Sequence, residues 1–73
     1  MDQPGSLGIG ATVRLVEQLP YLKSADPMPM LRPADLVGLD EIGQVVALRP
    51  ADQLAVRFRR GTFLIARASL QPV

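Results

Sequence analysis

Leu54-Ala55-Val56-Arg57-Phe58-Arg59-Arg60-Gly61-Thr62-Phe63-Leu64-Ile65-Ala66 carries the clearest pattern in the chain. Leu54, Val56 and Phe58 alternate with Ala55, Arg57 and Arg59, which is the two-residue period of a strand that buries one face. Arg60-Gly61 reads as a tight turn, with Gly61 supplying the left-handed residue a hairpin needs. Thr62–Ala66 is the return strand.

Working outward, Gln44–Arg49 is β-branched and bounded by Gly43 and Pro50, which predicts another strand. Pro50-Ala51-Asp52-Gln53 reads as a type I turn, with proline where its φ is already set. Asp40-Glu41-Ile42-Gly43 reads as a turn in which Gly43 takes φ > 0. Downstream, Arg67-Ala68-Ser69 is long enough for one 3₁₀ turn, and Leu70-Gln71 makes a short closing strand before Pro72. Upstream, Val13 and Leu15 place a first strand at about residues 11–17. Gly8-Ile9-Gly10 lacks the third glycine and the following helix of a phosphate cradle, so it reads as a turn. No helical period of ten residues occurs. A small sheet exposes its edges unless it closes on itself. The pattern therefore predicts an all-β, SH3-like barrel of about five strands over residues 7–73, a single domain, with residues 1–6 as a flexible tail.

Between the first strand and Gly43 lies an unusually long connection. Its centre, Pro20-Tyr21-Leu22-Lys23-Ser24-Ala25-Asp26-Pro27-Met28-Pro29-Met30-Leu31-Arg32-Pro33, holds four of the seven prolines. Each proline removes an N–H donor and pushes its predecessor toward extended backbone, so the stretch is expected to form neither a helix interior nor a central strand. Pro33–Val37 fits either a short helical turn or an extended edge. The large side chains here have two possible uses. They either cap an open end of the barrel, or some stay exposed as a contact patch. Methionine suits a contact because its thioether adapts to many surfaces. A mixed arrangement is expected, with Leu22 and Leu31 inward, Met28 and Met30 outward, and Tyr21 at the boundary. Arg32 and Lys23 are the candidate ion-pair partners of Asp26.

Composition narrows the function. Seventy-three residues without cysteine or histidine offer no disulfide, no thiol nucleophile, no imidazole base and no common zinc ligands. The adjacent pair Asp40-Glu41 sits in a turn signal. We expect no enzyme, no cofactor, no metal and no small-molecule substrate. The longest apolar runs, Val45–Leu48 and Phe63–Ala66, are too short to span a bilayer. With no signal-peptide pattern, a soluble cytoplasmic protein is expected. A net charge of +1 gives little support to a large polyanionic partner. Arg57 and Arg59 read as a solvated outer face, as a patch for an acidic protein surface, or as a nucleic-acid contact. The three aromatics make a poor stacking platform for the last of these.

Tyr21–Pro33 and the strand–turn–strand Ala55–Leu64 also resemble the SipA family of small cyanobacterial regulators, with a likeness running from about Gly8 to Leu70. Leu54 departs from it, standing where an aromatic is expected, and Ala66–Ser69 lacks the acidic and aromatic residues of that pattern. The resemblance implies an SH3-like barrel that binds an NblS-type sensor histidine kinase and stimulates it, in two-component signalling under light and nutrient stress. Such an adaptor acts by binding the active kinase conformation more tightly than the inactive one. The expected contact residues are Tyr21, Met28, Met30 and Arg32 of the loop, flanked by Arg57 and Arg59. The alternatives are a nucleic-acid-binding barrel and a non-catalytic SH3-like subunit of a redox enzyme.

Overall fold

A computed structural model describes residues 7–73; the expected tail at 1–6 lies outside them. Seven strands form: β1 Thr12–Leu15, β2 Leu22–Ser24, β3 Leu31–Arg32, β4 Ile42–Arg49, β5 Gln53–Phe58, β6 Gly61–Ala66 and β7 Leu70–Pro72. All pair antiparallel in one sheet of order β3-β2-β6-β5-β4-β1-β7. Two 3₁₀ turns, Ala34–Leu36 and Arg67–Ser69, complete the described residues. The protein is an all-β, SH3-like barrel.

The core follows from the alternation. Leu54, Val56 and Phe58 of β5 are buried with Phe63 and Ile65 of β6, while Arg57 is exposed. Val13, Leu15 and Val45 close the core from β1 and β4. Burying a side chain of this size stabilises the fold by about 1.5–3 kcal/mol. β4 is the element that bends the sheet. Its first residues pair with β1 and its remainder with β5, with a register shift between Val45 and Ala47. Such a bulge bends a strand and increases its local twist, so one strand serves both halves of a barrel.

Three local expectations need correction. Gly43 is not a turn residue: it lies inside β4 opposite Val13, and the left-handed residue of that turn is Asp40, with φ 64°. Gly43 is glycine because its backbone approaches the core closely. A Cβ there would stand 2.7 Å from Val56 Cγ1 and 2.8 Å from the Phe58 ring. The β4–β5 turn is not of type I, since Ala51 and Asp52 have φ of 61° and 57°. Positive φ at both central residues is the signature of a type I′ hairpin turn, whose twist matches the flanking strands. Finally, the proline-rich stretch does contain an inner strand. β2 is paired on one side with β3 and on the other with β6. The prolines at 20, 27, 29 and 33 all fall outside Leu22–Ser24, so every donor that those pairings need is present. β2 and β3 raise the strand number from about five to seven. Pro33–Val37 resolves as the 3₁₀ turn, entered from Pro33 at φ −58°.

Candidate docking surface

The β2–β3 hairpin is held where its strands meet the tip by two bonds between the same residues. The Ser24 N–H donates to the Met30 carbonyl at 2.9 Å, and the Met30 N–H donates to Ser24 Oγ at 2.9 Å. Leu22 and Ser24 point into the barrel, and Lys23 points out. Met30 therefore starts from an anchored backbone, while the tip Ala25–Pro29 carries two prolines that restrict it.

The apolar side chains beyond this anchor face solvent. Met28 is 83% exposed, Leu31 67%, Met30 56% and Tyr21 53%. Leu31 was expected inside. It lies opposite Lys23, and directly opposed residues share a sheet face, so it joins Lys23 on the outer one. The alternation of β2 carries this signal, but it is readable only once β2 is known to be a strand. Arg32 stands opposite Leu22 and lines an open cleft with Ser24, Asp26, Leu36, Arg60 and Phe63. Neither Arg32 nor Lys23 pairs with Asp26. Among the described residues the ion pair is Arg14–Asp40, at 2.7 Å.

Arg57 and Arg59 do not share a strand, because β5 ends at Phe58 and Arg59 opens the turn to β6. They nevertheless line one open cleft with Thr12, Ile42, Gln44 and Phe58. Arg57 Nη2 donates to Gln44 Oε1 at 3.1 Å. Phe58 and Phe63 are both buried, leaving Tyr21 as the exposed aromatic. The Asp40 carboxylate is engaged by Arg14, and Glu41 Oε1 accepts from the Gly38 N–H at 3.0 Å. No group of three or more metal-ligating side chains occurs among the described residues, and no helix there is long and apolar enough to cross a membrane.

The geometry thus defines a small SH3-like barrel that presents an anchored apolar hairpin. Over residues 9–70 the chain matches the family model described as Protein CHLORORESPIRATORY REDUCTION 42-like, and it belongs to that family. It is similar to Protein CHLORORESPIRATORY REDUCTION 42, chloroplastic, of Arabidopsis thaliana, at 37% identity over 60 residues. The match covers 81% of this chain and 50% of the relative, so the chain spans about half the length of the curated relative it matches. No solved structure matches the chain.

These findings overturn the SipA resemblance and, with it, the NblS-type sensor histidine kinase as partner and the placement in cyanobacterial two-component signalling. The likeness rested on a proline-rich hairpin and a strand–turn–strand. The structure forms them as the β2–β3 hairpin with its flanks and as the β5–β6 hairpin. The relative is chloroplastic, which corrects the expectation of a cytoplasmic protein.

Proposed function

We propose that this chain is a non-enzymatic docking module for a redox enzyme complex, with a protein subunit of that complex as its partner. The observation that carries the reading is the presentation of Met28, Met30, Leu31 and Tyr21 on an anchored hairpin. Exposed apolar side chains of this size, carried on and beside one short hairpin, suit a protein contact. A hairpin already fixed by two hydrogen bonds and flanking prolines loses little freedom on binding. The redox setting is supported by the name of the family and of the plant relative, which ties that relative to chlororespiratory reduction. A non-catalytic role is supported by a sequence without histidine or cysteine, and by the use of Asp40 as the partner of Arg14.

Affinity capture from a photosynthetic-cell extract tests this, with the captured chains identified by mass spectrometry. Subunits of an oxidoreductase complex are expected with the parent protein, and their loss with Met28→Asp/Met30→Asp. Capture of nucleic acid, or of no redox subunit, overturns the function. Equal capture by parent and variant moves the contact off the hairpin.

A further inference from the structure

We propose that the cleft at Gln44, Arg57 and Arg59 receives a carboxylate of the partner protein, carried on an extended acidic segment with an apolar side chain beside it. This rests on the docking reading and adds the chemistry of what is docked.

Thr12, Gln44 and Arg57 form one row across β1, β4 and β5, since Gln44 is in register with Thr12 on one side and with Arg57 on the other. The row is polar, exposed and already ordered. Gln44 Oε1 accepts from Arg57 Nη2 at 3.1 Å, while Gln44 Nε2 donates to the Gly10 carbonyl at 3.5 Å. One N–H of the guanidinium is occupied in this way. A guanidinium has five, in a fork that matches a carboxylate.

The charge around the cleft is not balanced from within. The open clefts on either side of Arg60 each contain acid, Asp35 and Glu41 in one and Asp26 in the other. The cleft of Arg57 and Arg59 has none in its own lining; Arg59 also borders the cleft of Asp35 and Glu41, so Arg57 is the cation that meets no acid. Its remaining wall is apolar, formed by the half-exposed Ile42 and the edge of Phe58. Two arginines beside an apolar wall fit a carboxylate with an aliphatic or aromatic neighbour. A nucleic acid fits less well. Both phenylalanines are buried, so no stacking platform stands beside these arginines, and a net charge of +1 draws polyanions weakly.

The test uses a fluorescein-labelled peptide of alternating glutamate and phenylalanine, its glutamine counterpart, and an oligothymidylate of equal charge. Binding is read by anisotropy against the full chain. The glutamate peptide is expected to bind. Arg57→Gln/Arg59→Gln should weaken it roughly tenfold or more. Arg49→Gln/Arg67→Gln, which removes the same charge elsewhere, should change it less than about threefold. Gln44→Ala, which frees Arg57 without removing its charge, should give an intermediate loss. Equal losses in the two double variants, equal binding of the glutamine peptide, or tighter binding of the oligothymidylate would overturn the assignment. If Arg57→Gln/Arg59→Gln does not fold, amide shifts of Thr12, Ile42 and Gln44 in the parent decide. They should move with the glutamate peptide only, and their failure to move also overturns the cleft.

The two readings fail separately. Redox subunits captured equally by the parent and by Arg57→Gln/Arg59→Gln overturn the cleft and leave the docking function standing. Absence of redox subunits with the parent overturns the function, while the peptide assay still reads the cleft.

Discussion

Ser24 and Met30 hold each other twice, backbone to backbone and backbone to side chain. A buried hydroxyl thereby sets the position of an exposed methionine. Ser24→Ala keeps the first bond and removes the acceptor of the second. A stability loss of about 1 kcal/mol is expected, read by denaturant unfolding. The diagnostic readout is local, because the Met30 amide should lose its protection from hydrogen exchange while the β5–β6 amides keep theirs.

The Gly43 backbone lies against Val56 and Phe58. Gly43→Ala must push two core side chains aside, and overpacking of this kind costs about 1–3 kcal/mol. Gly8→Ala is the control, since a Cβ at Gly8 meets nothing within 4 Å. Calorimetry should show a clear drop in Tm for the first and little change for the second. Similar behaviour of the two would contradict the close approach at β4.

The type I′ turn holds Ala51 at φ 61°, where an L side chain other than Asn or Asp pays about 1 kcal/mol. Ala51→Asn together with Asp52→Gly installs the preferred pair for this turn. Stability should rise by about 0.5–1 kcal/mol. Were the turn of type I, as the proline at position 50 suggests, the same change would be neutral or harmful.

Arg14 reaches both Asp40 and Gln71, tying β1 to the turn before β4 and to β7. The pair with Asp40 is largely solvated, with side chains 40% and 70% exposed. Arg14→Met should therefore cost no more than about 1 kcal/mol, and the difference from the parent should shrink further in high salt.

Much of the barrel is legible in the alternation of Leu54, Val56 and Phe58, because a strand with one buried face writes its period directly into the sequence. The 3₁₀ turn at Arg67–Ser69 and the strand after it are legible for a similar reason, as short segments between clear punctuation. Gly43 and Ala51 are misread for opposite reasons. Glycine serves both unusual dihedrals and close approach, and only the three-dimensional neighbours of Gly43 decide between them. Ala51 carries no local signal for a left-handed conformation; the twist of β4 and β5 imposes it. In the candidate site, the outward Met28 and Met30 are anticipated from the suitability of a thioether for contacts. The outward Leu31 is not, since its direction is set by its register with Lys23 across β2. The cleft of Arg57 and Arg59 is assembled from β1, β4, β5 and the β5–β6 turn, and no single window of sequence contains it.

β1 lies between β4 and β7, with Val13 opposite both Gly43 and Pro72. Its two neighbours come from distant parts of the chain, so much of the contact map is non-local. Folding of such a topology is slow, because loop entropy is lost before the contacts form. The β4–β5–β6 meander is local and can assemble early, leaving β1 to dock last, once residues 70–72 are present to receive it. The Val73 N–H also donates to the Thr12 carbonyl, so this last closure joins residues far apart in the chain, and a substitution that weakens it is expected to slow refolding more than one in the 50–52 turn.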